Sequence, residues 1–239
     1  MPRFFLENVQ GNTLTIDGQD ARHIACSLRM QVGDTLTVCD GKGEDLRCTI
    51  AALSPEQVVL SVTAREKTVS EPTVAVTLYQ GLPKGDKLEW IIQKAVELGV
   101  TRIVPVVTAR SIAKTSDRDT KKTVRLQKIA DEAAGQSGRG ILPTVEMPIT
   151  FKQAAERMAK ENTVVFYECG GAPLTALAPQ WGETLSVFVG PEGGIAPAEI
   201  ETLTAGGAVL ATLGPRILRC ETAPVAALSA IMVLTDNMQ

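Results

Sequence analysis

The alternation of apolar and polar positions changes character once along the chain. Over the first part it has a period of two, in short runs at Arg3 to Val9, Thr13 to Ile16, Thr35 to Cys39, Leu46 to Ala52 and Gln57 to Ala64. That period predicts half-buried strands. Turn-forming clusters separate them: Gln10-Gly11-Asn12, Asp17-Gly18, Val32-Gly33-Asp34, Asp40-Gly41-Lys42-Gly43 and Ser54-Pro55. One or two helical turns are expected within Asp20 to Met30. Several short strands with tight turns predict a small β-barrel over residues 1–70, and a linker follows near Glu66 to Pro72.

From Thr73 the rhythm becomes strand, helix, strand. Val74 to Gln80, Ile103 to Val107, Thr163 to Glu168, Leu185 to Val189 and Ala208 to Leu213 are short apolar runs of the kind buried on both faces. Helical periodicity lies between them at Asp86 to Leu98, Asp119 to about Gln136, 151–160, 197–205 and onward from about Ala223. In the Asp86 helix, Leu88, Ile91, Ile92, Ala95 and Val96 make one apolar stripe. Asp86 is placed as its N-cap, with Glu89 three residues on, and Gly99 is placed to end it. The fold class expected for 73–239 is α/β, a parallel sheet with helices on both faces. The last helix, Pro224 to Leu234, is apolar nearly all round, which suits core packing and a subunit interface at once.

Composition adds limits. The chain has 239 residues, 44% hydrophobic and 21% charged, as in soluble globular proteins. The start carries Arg3 and no uninterrupted apolar stretch, and no uncharged stretch is longer than Thr222 to Thr235, which is too short to span a bilayer. A cytoplasmic protein without a membrane partner is expected. Five scattered cysteines without a C-x-x-C, and one histidine (His23), argue for free thiols and against a metal site.

Net charge is −3, but it is unevenly spread. Residues 71–145 hold 12 basic and 8 acidic side chains, whereas 146–239 hold 5 and 10. Arg118, Lys121, Lys122 and Arg125 fall at i, i+3, i+4 and i+7, one face of a helix. A solvated face and a phosphate-binding patch account for them equally well.

Two glycine-bearing loops carry the chemistry: Gly190-Pro191-Glu192-Gly193-Gly194, and the segment Leu213 to Ala223 with Gly214, Arg216, Arg219 and Glu221. Each follows an apolar run that reads as a buried strand. Two such loops at strand ends of one sheet make a backbone-lined slot for a nucleotide-like ligand. Neither the G-x-x-x-x-G-K-[ST] nor the G-x-G-x-x-G fingerprint is present, which disfavours ATP hydrolysis and a Rossmann dinucleotide site.

The chain also resembles the bacterial ribosomal RNA small subunit methyltransferase E family of SPOUT methyltransferases over nearly its full length. The resemblance lies in Arg3-Phe4-Phe5, His23-Ile24, Leu28-Arg29-Met30, Val32-Gly33-Asp34, Asp40-Gly41, Lys84 to Glu89, Ile92-Gln93-Lys94, Glu97-Leu98-Gly99, Gln127 to Ala130, Glu132 to Ala134 and Gln136 to Arg139. The two C-terminal loops carry it most specifically. The chain departs from the family at Arg22, where a histidine is common, at Ala109, where a glutamate is, and at Cys220, where threonine is usual.

The resemblance implies AdoMet-dependent methylation of uridine N3 in 16S rRNA, at the decoding region of the small ribosomal subunit, by a homodimer. Alternatives are a non-catalytic RNA-binding module or a SPOUT enzyme with another RNA target. It implies a PUA-like barrel that docks RNA and a SPOUT domain with a trefoil knot. AdoMet would be held by Leu82, Pro83, Gly190, Pro191, Glu192, Gly193, Gly194, Leu213, Gly214, Ile217, Leu218, Arg219, Thr222 and Ala223. Glu221 or Glu192 would take the N3 proton and Arg219 would stabilise the anion. An Arg219–Glu221 pair that only holds the turn is the structural alternative. RNA would meet Arg3, Arg22, Arg29, Lys84, Arg110, Lys114, Lys121, Lys122, Arg125 and Arg139.

Overall fold

The structure, a computed structural model, describes residues 2–111 and 119–238. The chain divides into two compact units, one of Met1–Glu71 with Ala134–Leu142 and one of Pro72–Ala133 with Pro143–Gln239.

In the smaller unit the period-two runs become strands β1 (Arg3–Phe5), β2 (Thr13–Asp17), β3 (Thr35–Cys39), β4 (Glu44–Leu53) and β5 (Gln57–Lys67). Between β2 and β3, helix α1 (Gly18–Arg22) widens into a looser turn at His23–Ser27. The alternation works as sequence dictates: Leu14 and Ile16 of β2 are buried and Thr13, Thr15 and Asp17 are exposed. The sheet order is β1-β3-β4-β5-β2, with β1 parallel to β3 and the other pairs antiparallel. It curls around a core of Ile16, Ile24, Leu36, Val38, Leu46 and Leu60. Register shifts in β4–β5 at Arg47/Cys48 and Ile50/Ala52 supply the bend. The expected small barrel is present as this curled sheet; among the described residues its edge strands β1 and β2 do not pair.

The stretch read as a linker is an anchor instead. Thr68 is buried and donates to Asp45 Oδ1 at 2.6 Å. Glu71 receives Arg139 Nη2 at 2.8 Å and the backbone N–H groups of Gly140 and Ile141 at 2.8 and 3.1 Å. Burial alone would raise the Glu71 pKa, but Arg139 and those amides hold it below the usual glutamate range. Arg3 donates to both oxygens of Asp45, at 2.8 and 2.7 Å, and that carboxyl is likewise held low against its own burial. Polar residues in a row look like a linker until their partners, dozens of residues away, are known.

The larger unit holds β6 (Ala75–Gly81), α2 (Lys87–Glu97), β7 (Val100–Val107), most of α3 (Asp119–Ser137, whose last turn belongs to the smaller unit), β8 (Thr144–Val145), β9 (Ile149–Thr150), α4 (Phe151–Met158), β10 (Thr163–Phe166), β11 (Ala172–Pro173), α5 (Leu174–Leu177), β12 (Thr184–Val189), α6 (Pro197–Ala205), β13 (Val209–Thr212) and α7 (Thr222–Leu234). Its sheet runs β11-β13-β10-β12-β6-β7-β8, with β9 also on β7, and every pair is parallel. The apolar runs of β6, β10 and β12 are buried along nearly their whole length, as both-face coverage requires, whereas β13, nearer the sheet edge, leaves Val209 exposed. All five stripe residues of α2 are buried, and Gly99 ends the helix at φ +90°. Asp86 does not cap it: its backbone is not extended (φ −93°, ψ 7°) and its side chain makes no cap bond. Glu89 pairs with Arg125 at 2.8 Å instead. In α7, Pro224, Ala227, Leu228, Ile231 and Met232 are buried while Val233 is 56% exposed. Among the described residues no helix is long and apolar enough to cross a membrane.

Arg139, its side chain 3% exposed, leaves the half-buried Glu71 carboxylate without its cation if truncated. Arg139→Ala is expected to lower unfolding free energy by about 3–5 kcal/mol, read by chemical denaturation; an unshifted midpoint would remove the pair from the stability of this unit. Because Glu71 and Asp45 titrate lower folded than unfolded, their contribution is complete above the usual carboxylate range and is lost as pH falls through it.

Candidate functional site

Parallel register brings four strand ends into line. Phe166, the last residue of β10, faces Val189 of β12 and Ala211 of β13, and Val189 faces Gln80 of β6. The four following loops therefore open on one edge of the sheet, where such folds bind ligands. The approach is close: a Cβ on Gly81 would lie 2.5 Å from Pro191 Cδ, so only glycine lets β6 end against that loop.

A cavity of about 590 Å³ lies there, within the roughly 300–1,000 Å³ usual for ligand sites. Gly190, Pro191, Glu192, Gly193 and Gly194 form one wall. Leu213, Gly214, Ile217, Leu218 and Arg219 form another, and Ala223 of α7 closes it. Leu82 and Pro83 are buried in the loop after β6 and Thr222 opens α7; these three do not line the cavity. Phe166, Tyr167 and Glu168 from β10 and Lys87 from α2 do line it, unforeseen in the sequence. β10 lies between β12 and β13 in the sheet, an adjacency that chain order does not reveal.

The residues present suit AdoMet. In the second loop the N–H groups of Ile217, Leu218 and Arg219 find no acceptor among the described residues. Such donors call for water or a ligand. Ile217 is 84% exposed beside them, with Phe166 and Val189 within the same cavity. Free amides with apolar flanks match a purine: edge atoms that hydrogen-bond and faces that stack.

At one side stands a charged cluster. Lys87 Nζ lies 3.0 Å from Glu192 Oε1 and 3.2 Å from Glu221 Oε2. Cys220 Sγ donates to Glu221 Oε2 at 3.1 Å, and Lys84 N donates to Glu192 Oε1 at 3.2 Å. The thiol of Cys220 thus supplies the donor that a threonine hydroxyl would. Burial first, then the bond to Glu221, pushes its pKa up to about 12, so it stays protonated. The Cys220 bond, its own backbone N–H and Lys87 hold the Glu221 carboxyl below the usual range. Burial would raise Glu192, but its own backbone N–H, Lys87 and the Lys84 amide outweigh that. Bonds to Glu192 and then Glu221 raise Lys87.

The Arg219–Glu221 pair, the structural alternative, does not form among the described residues: Glu221 is engaged by Lys87, because α2 delivers an ammonium to the same spot. The Arg219 side chain is exposed and makes no ion pair among the described residues, while its carbonyl accepts the N–H groups of Thr222 and Ala223 at 2.9 Å. Arg216 is also exposed.

Glu199, buried at the start of α6, also escaped sequence reasoning. It accepts Ala109 N at 2.8 Å and Ala196 N at 3.0 Å, one on each oxygen. Arg110 Nη1 then reaches Gly193 O at 2.8 Å. A glutamate inside a helix run carries no sign of such a clamp.

Of the basic residues assigned to RNA, Arg3 and Arg139 are committed elsewhere. Each guanidinium is largely buried on a carboxylate, which corrects their assignment to phosphate contacts. Arg22, Arg29, Lys84, Lys121 and Lys122 are exposed; Arg125 is exposed but pairs with Glu89. Arg29 holds φ +53°, unusual for a non-glycine residue. Lys114 and Arg118 lie outside the described residues. Among the described residues no cluster of three metal-ligating side chains occurs.

Comparison with known proteins adds a family. The RNA methyltransferase domain model matches residues 70–232 and the RNA methyltransferase PUA domain model residues 16–63. The chain is 39% identical to the ribosomal RNA small subunit methyltransferase E of Bacillus subtilis, covering all of this chain and 99% of that one. It is 35% identical to the enzyme of that name from Synechocystis, covering 97% of this chain and 76% of that one. A crystal structure of ribosomal RNA small subunit methyltransferase E from Neisseria gonorrhoeae bound to S-adenosyl methionine superposes with TM-score 0.89, at 33% identity and 98% of each chain.

Thiol reactivity tests the described environment. Cys26 and Cys169 are exposed, whereas Cys39, Cys48 and Cys220 are buried, with Cys39 and Cys220 both pushed up to about 12. At pH 8, iodoacetamide followed by peptide mass spectrometry is expected to label Cys26 and Cys169 and spare the other three. Rapid labelling of Cys220 would contradict its bond to Glu221.

Proposed function

This chain belongs to the ribosomal RNA small subunit methyltransferase E family, and from that membership we propose that it methylates N3 of one uridine in the decoding region of 16S rRNA. It is an RNA methyltransferase that uses AdoMet and acts on ribosomal RNA. When bound, AdoMet supplies a methyl group already activated on a sulfonium. The protein's task is to hold that group and the acceptor, and to help N3 lose its proton.

The observation that carries the reading is a cavity with backbone donors on one wall that have no acceptor among the described residues, and a carboxylate cluster at its side. The amides of Ile217, Leu218 and Arg219 read the cofactor, and the glycine loop closes over it. Glu221 takes the N3 proton. Glu192, tied to Lys84 N as well as Lys87, serves as the clamp of its loop. Arg219, exposed and unpaired among the described residues, meets the negative charge that develops on the base. RNA docks on residues 1–70 through Arg22 and Arg29, and on Lys84, Lys121 and Lys122 of the 73–239 methyltransferase region. The enzyme works in the cytoplasm on the small subunit, as a homodimer that uses the exposed side of α7.

Labelled AdoMet incubated with small subunits lacking the modification is expected to place label in 3-methyluridine after digestion of the rRNA. Label in another nucleoside would overturn the target atom while leaving the family intact. Arg219→Ala is expected to cut turnover about 100-fold with AdoMet affinity retained; unchanged turnover would remove Arg219 from the chemistry. Lys121→Glu with Lys122→Glu should weaken RNA binding and flatten its salt dependence, by roughly 0.7–0.9 in log–log slope per lost phosphate contact. An unaltered slope would place RNA elsewhere.

A further inference from the structure

Lys87 has a chemistry that none of the above assigns. Its side chain is 36% exposed on the cavity wall, so a substrate entering there can reach it. Its Nζ touches Glu192 at 3.0 Å and Glu221 at 3.2 Å, and lies 3.7 Å from Cys220 Sγ. An ammonium on a four-carbon stem carries three rotatable donors and no fixed fork, so it can exchange partners with little motion. The two carboxylates are not equivalent. Glu192 is tied to the backbone at Lys84 N on another loop, whereas Glu221, beyond its own backbone N–H, is held among the described residues by two movable side chains, Lys87 and the Cys220 thiol.

Resting on the reading of this cavity as the methyl-transfer site, we propose that Lys87 is a catalytic residue whose ammonium passes from Glu221 to a carbonyl oxygen of the uracil as the N3 proton passes to Glu221. Uracil N3–H lies between two carbonyl groups, and loss of its proton puts negative charge on their oxygens. The same transfer neutralises Glu221. One negative charge thus moves from the carboxylate to the base, and the ammonium follows it. The N3–H bond breaks and an O–H bond forms on Glu221. The electron pair left on N3 takes the methyl, and the pair of the broken S–CH₃ bond stays on sulfur, which becomes a neutral thioether. Lys87 keeps all three protons throughout. Arg219 stands on the following loop and Lys87 on α2, so the anion is met from two elements.

The groups facing Glu221 are Lys87 from α2, Glu192 from the glycine loop and Cys220 from its own loop. Removing Lys87 leaves the second carboxylate uncompensated, so the Glu221 pKa must rise. The test compares Lys87→Met and Lys87→Arg in single-turnover methylation of unmodified small subunits, with AdoMet affinity measured by calorimetry and the rate followed across pH. Lys87→Met is expected to slow the reaction about 100- to 1,000-fold with AdoMet affinity retained. Its acid limb should move to higher pH, and Lys87→Arg should recover part of the rate. Wild-type rate and an unmoved acid limb in Lys87→Met would overturn the proposal. So would equal loss of AdoMet affinity and thermal stability in both variants, the mark of a purely structural lysine. A wild-type protein that labels no uridine N3 would instead overturn the underlying reading of the site, and the proposal with it.

Discussion

Everything at the site depends on one constraint, the parallel in-register pairing of β13, β10, β12 and β6. Parallel pairing sets all four carboxyl ends on one edge, and the register lines Gln80, Val189, Phe166 and Ala211 across it. A slip of one residue in any of these strands would turn its side chains over and carry its loop a step out of the cavity. The pairing is pinned by side chains that are buried along nearly the whole of β6, β10 and β12. The core that stabilises the sheet therefore also sets the site's dimensions.

Upon that edge, charge is arranged in layers. Glu199 uses each of its oxygens on a backbone N–H, one at Ala109 and one at Ala196, and so ties the segment after β7 to the chain leaving the glycine loop. Lys87 joins that loop to the next through Glu192 and Glu221. Glu192 and Glu221 are held below the usual carboxylate range, and each is oriented by at least two donors. A proton acceptor of this kind is poor in bulk equilibrium terms. It becomes effective only when a compensating cation can leave it during the transfer, so the ammonium beside it matters more than its own basicity.

Much of the fold was legible because burial periodicity is a local signal. The strands of the smaller unit, the five longer strands β6, β7, β10, β12 and β13, the five-residue stripe of α2 and the stop at Gly99 follow from spacing alone, whereas the two-residue strands β8, β9 and β11 are too short to show a period. The two glycine loops were legible too, since each directly follows a buried apolar run. The rest depended on partners distant in sequence. Arg3 and Arg139 look like phosphate-binding residues because charge is visible in a sequence and burial is not. Glu71 looks like linker because its partner sits 68 positions on. Lys87 stood within the Lys84 to Glu89 motif, yet its neighbours Glu192 and Glu221 lie in two other loops. Cys220 read as a lost hydroxyl until its thiol was seen donating to the adjacent carboxylate.

The unsatisfied amides of Ile217, Leu218 and Arg219 have a kinetic consequence. Backbone donors can read a purine and its sugar, but the spent donor carries the same purine and sugar. On the proposed reading, that wall binds reactant and product alike and cannot by itself drive exchange. Discrimination falls to charge, because the two molecules differ by one positive charge at sulfur. Lys87 with its two carboxylates leaves one net negative charge at the cavity's side, which favours the sulfonium and lets the thioether go. The cluster that prepares the acceptor would also set how quickly the enzyme is ready again.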